Sequence, residues 1–244
     1  MAGGPTNPYS PEANALFARM SVQPDATRRA AINTCILALI SAGVWNKLYA
    51  LYLTAAHDEQ AAQLNWIGPT LNLLKTGTVT FTANQDYVPN GVDGYLDTQF
   101  APNLAGQDSF AMGLFLRTNA QAAAPVMGTG TGSGMSLLPR STTDTSTYRV
   151  NTLTNGSVAS QTNSSGLTVA DRSASNLTTL YRGGASVGTT SNASAAPSAA
   201  SINIGRFSGN FATITCQGAL LSQSLSAGEH TALYNALNTY IAGL

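Results

Sequence analysis

The chain runs to 244 residues, of which 43% are apolar, enough for one sizeable core and too many for global disorder. Charged side chains make up 9% and sum to zero, against about 25% in a typical soluble domain. That balance excludes a Lys/Arg-driven nucleic-acid surface and an electrostatic membrane binder, and leaves a surface of hydroxyls and amides whose contacts respond weakly to salt.

Residues 1–24 read as an N-terminal arm, because Gly3, Gly4, Pro5, Pro8, Pro11 and Pro24 interrupt regular structure. Inside it Ser10-Pro11-Glu12 starts a short helix: a cap, a first-turn proline and an acid suited to the helix dipole. Leu16, Phe17 and Met20 then share one face. A stripe on so short a helix cannot hold itself folded. The stripe needs a surface to dock on, its own body or a neighbour; in an arm this rich in proline and glycine a partner chain is expected, with the arm serving as an anchor.

A second helix occupies residues 25–44, capped by Asp25 and stopped near Gly43. Ile32, Cys35, Ile36, Leu39 and Ile40 form its apolar face; Ala30, Thr34, Ala38 and Ser41 form a small-residue face fit for close packing. The apolar stretch from Ala30 to Trp45 follows Arg28 and Arg29 but is broken by Asn33, Thr34 and Ser41. It is too short to span a bilayer, and no targeting segment or membrane span is read.

Residues 45–244 read as a β-sandwich closed by a helix. The run from Leu48 fits a first strand and also a helix. Thr78–Thr82 alternates with Val79 and Phe81 inward. Strands are expected from Tyr95, Phe110, Tyr148, Leu167, Leu177, Ile202 and Phe211, the last running to Cys216, with a tight hairpin at Arg182–Ala185. The last helix carries a capping box, Ser226 with Glu229, and a stripe of Leu233, Tyr234, Leu237, Tyr240 and Ile241.

Chemistry-bearing clusters are sparse. His57-Asp58-Glu59 is the densest ionisable run, yet adjacent residues point apart, so a surface turn is expected there. His230 has no nucleophile motif to serve. The glycine run 128–134 lacks a β-α-β setting for a phosphate loop and reads as a flexible connection. Asp86, Asp93, Asp97 and Asp108 cluster in sequence, but no Glu-x-Asp-x-Glu arrangement occurs; turn and strand-end roles are favoured over calcium binding. Cys35 and Cys216 read as two buried thiols. No catalytic residue, cofactor or metal is assigned.

Gly91–Phe100, Leu180–Ala185, and Ile204–Phe207 followed by the Leu225–Glu229 helix start resemble, in that order, segments of the concanavalin A-like, laminin G-like jelly roll. The resemblance covers roughly residues 45–244 and implies a mainly β antiparallel sandwich with N-terminal helices and a C-terminal helix. Ala26–Thr34, Leu48–Tyr52, Ala56–Trp66 and Val169–Ser175 further resemble a family of bacteriophage and prophage virion proteins. That resemblance implies a non-enzymatic structural component of a phage-like virion (fibre, spike, tail or decoration protein), assembled in the bacterial cytoplasm and released by lysis. It implies other virion proteins and further copies of the chain as partners, with no nucleic acid or membrane. The alternative is a lectin module that binds a host-surface glycan.

Overall fold

The computed structural model describes residues 8–131 and 134–244. Among these residues four α-helices, α1 (Pro11–Phe17), α2 (Ala26–Ser41), α3 (Glu59–Gln63) and α4 (Ala227–Ala242), accompany the strands. The first nine strands are β1 (Leu48–Tyr52), β2 (Leu74–Thr76), β3 (Val79–Thr82), β4 (Asp86–Pro89), β5 (Tyr95–Asp97), β6 (Phe110–Leu116), β7 (Met127–Thr129), β8 (Met135–Leu138) and β9 (Ser146–Val150). They are followed by β10 (Gly156–Val158), β11 (Gly166–Ala174), β12 (Leu177–Arg182), β13 (Ala185–Thr190), β14 (Ile202–Ile204), β15 (Arg206–Phe207), β16 (Asn210–Phe211) and β17 (Cys216–Ser222).

Two antiparallel sheets make the sandwich. One has the order β13-β12-β11-β6-β17-β4-β3, with β1 also paired to β17. The other has the order β10-β9-β8-β7-β14-β5-β2, and β15–β16 is a separate ribbon. Strands β6 and β17 are buried at every position: they are inner strands of their sheet, with neighbours on both edges, the second sheet on one face and the helices on the other. Accordingly β6 is a continuous apolar run, and β17 is mostly so, with Gln217 and Ser222 as its polar members, rather than an alternating strand. Gly128 lies inside β7 and not in a loop: a Cβ there would come within 2.5 Å of the Met135 carbonyl and 2.7 Å of Phe207. The glycine run thus begins as a strand. The strand expected over Phe211–Cys216 is instead split: β16 ends at Phe211 and β17 starts at Cys216.

The helices form as their sequences require. Asp25 accepts the Arg28 amide at the start of α2. Gly43, at φ +73°, closes a Schellman motif in which Gly43 N–H donates to Ile40 and Val44 N–H to Leu39. Helix α4 has both arms of its capping box. It seats on the outer face of the first sheet, where Gly184, at φ +81°, leaves room for the Thr231 backbone only 2.9 Å from where a Cβ would stand.

The anchoring arm requires correction. Leu16, Phe17 and Met20 are 0%, 5% and 7% exposed and belong to the chain's own core. Phe17 meets Tyr9 edge-on at 5.4 Å, and Ser10 N–H donates to Asn33 of α2. The stripe on α1 is used up by α2 and the body behind it, so it is not a free docking face; residues 1–7 lie outside the described residues. Ile40, expected on the buried face of α2, is 36% exposed. Cys35 and Cys216 are separate free thiols, each buried and pushed up to about 12 by burial. Among the described residues no helix is long and apolar enough to cross a membrane.

Candidate functional site

One end of the sandwich gathers the loops that join its central strands. Leu116 ends β6 where β11 and β17 begin, and Leu138 ends β8 where β9 and β7 begin. The connections 117–126, 139–145, 159–165 and 212–215 therefore converge. They are cross-tied: Ala122 N–H donates to the Arg140 carbonyl, Ala120 N–H to Ser164 Oγ, and Thr118 N–H to Thr215 Oγ1.

Two adjoining depressions open between these loops. The inner one, about 140 Å³, is floored by Leu116, Val126, Leu138 and Ile214 and rimmed by Thr118, Gln121, Arg140, Ser164, Thr213 and Thr215. The outer one, about 410 Å³, shares Gln121, Ala122 and Thr213 and adds Asn90, Asn210 and Phe211. Behind Phe211, the Arg206 guanidinium stacks 4.8 Å from the Tyr95 ring and 5.6 Å from the Phe211 ring. This pairing follows from the β15–β16 ribbon, which sets Arg206 opposite Phe211.

The polar rim is held in place. Arg140 donates through Nε to Asp144 Oδ1 at 2.8 Å and through Nη1 to Asn119 Oδ1 at 2.9 Å. Gln121 Nε2 donates to the same Asp144 oxygen at 2.8 Å. Hydrogen bonds from Arg140 and Gln121 keep the Asp144 carboxyl below its usual range. Asp86, at the same end, is paired with Arg117 at 2.5 Å. The result is fixed amide, hydroxyl and guanidinium groups over an apolar floor. Such a surface suits a polyhydroxyl ligand, whose hydroxyls take the polar rim and whose C–H faces take the floor.

The residues singled out from sequence lie elsewhere and do not converge. His57 Nε2 meets the Val22 carbonyl, Asp58 caps α3 through the Gln60 and Ala61 amides, and Glu59 pairs with Lys75. Asp93 is lowered by the Thr78 amide and then by Asn90, within a turn, and Asp97 accepts the Gln99 amide. His230 is sealed on the inner face of α4, with Nε2 2.7 Å from Asp171 Oδ2 and Tyr181 stacked on its ring at 3.7 Å. Among the described residues no three His, Cys, Asp or Glu side chains are placed to hold a metal ion. Gln121 and Arg140 carry no motif that marks them in the sequence, and Phe211 reads there only as the start of a strand. The available signal was the polar turn Pro139–Asp144, but its partner loops are distant in the chain.

No protein-family model and no curated protein sequence matches this chain. Solved structures do. Domain 4 of AbnA, a GH43 extracellular arabinanase from Geobacillus stearothermophilus in complex with arabinotriose, is 11% identical with TM-score 0.54, over 77% of this chain and 98% of that one. The botulinum neurotoxin serotype D binding domain is 9% identical with TM-score 0.53, over 79% of this chain and 52% of that one. A Trypanosoma rangeli sialidase in complex with sialic acid is 10% identical with TM-score 0.54, over 78% of this chain and 33% of that one. This chain thus spans about half of the toxin chain and a third of the sialidase. At these identities the likeness establishes the fold: a mainly β antiparallel sandwich. It also corrects the expectation of a non-enzymatic chain. The arabinanase domain and the sialidase are parts of glycoside hydrolases, so nothing in the fold excludes glycoside chemistry.

Proposed function

We propose that this chain is a glycan-binding β-sandwich that takes its ligand at the loop end. The observation that carries the reading is the pair of adjoining depressions, apolar below and ringed by fixed amides, hydroxyls and Arg140, beside the Tyr95–Arg206–Phe211 stack. Two solved chains of the same fold are described in complex with sugars, arabinotriose and sialic acid, which supports the class of ligand. A surface built from amides and hydroxyls gives binding that depends little on salt.

The setting offered with this reading is a phage-like particle that presents the sandwich to a host surface. It rests on the sequence resemblance at Ala26–Thr34 and Ala56–Trp66. Mass spectrometry of purified particles tests it separately; absence of the chain from every particle preparation removes the setting and leaves the glycan reading standing.

A glycan array followed by titration of the best ligand tests the binding. Gln121→Ala and Phe211→Ala are expected to weaken it about tenfold or more, each removing one rim or wall contact. A ligand that binds both variants as tightly as the parent chain places the site elsewhere. Absence of any binding on the array ends the proposal.

A further inference from the structure

We propose that the chain binds a small anion, carboxylate-sized or smaller, between its two sheets at Arg182. Strand alternation turns Leu180 and Arg182 of β12 toward the second sheet, where Leu180 is buried and Arg182 half-buried, while Tyr181 faces outward to His230. Arg182 Nη2 donates to the Pro139 carbonyl at 2.6 Å and to Ser146 Oγ at 3.1 Å. Its Nε and Nη1 are buried and have no acceptor. Of the five N–H bonds of a guanidinium, three are therefore unspent. Thr168, the cross-strand partner of Arg182 on β11, is fully buried, and its hydroxyl has no partner either. Paired residues on adjacent strands share a face, so the hydroxyl and the free N–H groups lie side by side on the inner face of the sheet. Among the described residues no carboxylate stands within ion-pair distance of Arg182.

Arg172 shows what a satisfied arginine looks like in the same interior. Its Nε, Nη1 and Nη2 all reach backbone carbonyls, those of Val150, Ala174, Ser175 and Asn192. Arg182 lacks that satisfaction, although burial disfavours its charge. A half-buried cation whose sealed Nε and Nη1 are unspent is completed by an anion that accepts from both and takes the Thr168 hydroxyl as a further donor. Pro139 also lines the inner depression, so this site lies directly behind the wall of the loop end.

The test is a titration of the purified full-length chain with ¹³C-formate at constant ionic strength, followed by NMR line width and by thermal midpoint. A saturable broadening is expected, with a midpoint that rises as formate fills the site. Arg182→Met should abolish both responses and Thr168→Val should weaken binding about tenfold. Arg149→Ala, which alters an arginine of β9 whose Nε donates to Asn155, should change neither. No saturable response in the parent chain means that water alone serves these donors, and the proposal fails. A response retained in Arg182→Met overturns it equally. If that variant does not fold, a parent-chain response left untouched by Thr168→Val overturns it. None of these outcomes depends on glycan binding at the loop end.

Discussion

Neighbouring charged residues on β11 show how much one position decides. Asp171 and Arg172 face opposite sides of the sheet, and both are sealed from water. Arg172 points between the sheets and holds four backbone carbonyls from three separate segments. Arg172→Met would fill similar space but leave those carbonyls unpaired in a dry interior. We expect a loss of at least about 3 kcal/mol in urea unfolding; a change below about 0.5 kcal/mol would mean that water replaces the guanidinium freely. Asp171 points the other way, beneath α4, and one of its oxygens accepts from both Leu225 N–H and His230 Nε2. Asp171→Ala should cost about 1–3 kcal/mol and speed hydrogen exchange at the first turn of α4. Unchanged exchange there would show that the helix is seated without this tie. In sequence, Val169–Ser175 displayed the charges but not their burial, since a strand carrying adjacent Asp and Arg reads as an exposed edge until both faces are known to be covered.

At the level of single elements, legibility followed locality. The cap and box of α4, the Asp25 cap and the glycine stop of α2 all depend on residues within five positions, and each stands where the sequence placed it. Strands β7 and β8 did not announce themselves. They are short and buried at every position, so they lack the alternation that marks a half-exposed strand. The box of α4 also sets an acid limit. Burial pushes the Glu229 carboxyl up, but hydrogen bonds from Lys47 and from Ser226 outweigh it and hold the group below its ordinary value. A lowered carboxyl stabilises the fold above its unfolded value, near pH 4.3. That contribution fades as pH falls through the lower folded value. Glu229→Gln should therefore reduce stability at pH 7 and flatten the decline between about pH 5 and pH 3. A variant whose thermal midpoint falls with acid as steeply as the parent's would remove Glu229 from this role. Ser226→Ala should cost about 0.5–2 kcal/mol, and Leu237→Ala, whose side chain is buried, about 2–5 kcal/mol.

Over the whole molecule, the sandwich was legible because many alternating strands and one terminal helix admit few architectures. The loop end was not, because its members come from residues 90 to 215 and meet only once both sheets are assembled. The N-terminal segment departs from the sequence expectation for a related reason: an apolar stripe says that something covers it, never what. Here the cover is the chain itself. Leu16, Phe17 and Met20 lie in the same core as α2 and the sheets, and Arg19 ties α1 to the Trp66–Gly68 turn through two backbone carbonyls. Deleting residues 1–20 thus removes buried Ala13 and three larger buried side chains, Leu16, Phe17 and Met20, each of the three contributing about 1.5–3 kcal/mol on burial, and uncovers the apolar surface beneath them. A domain's net stability is about 5–15 kcal/mol, so the truncated chain should sit near the edge of folding, with a much lower urea midpoint. Glycan binding should fall in step with the folded fraction, because the loop end depends on an assembled sandwich. A truncated chain that unfolds at the parent's midpoint would show that the segment only rests on the body, and would return it to the role of a detachable arm.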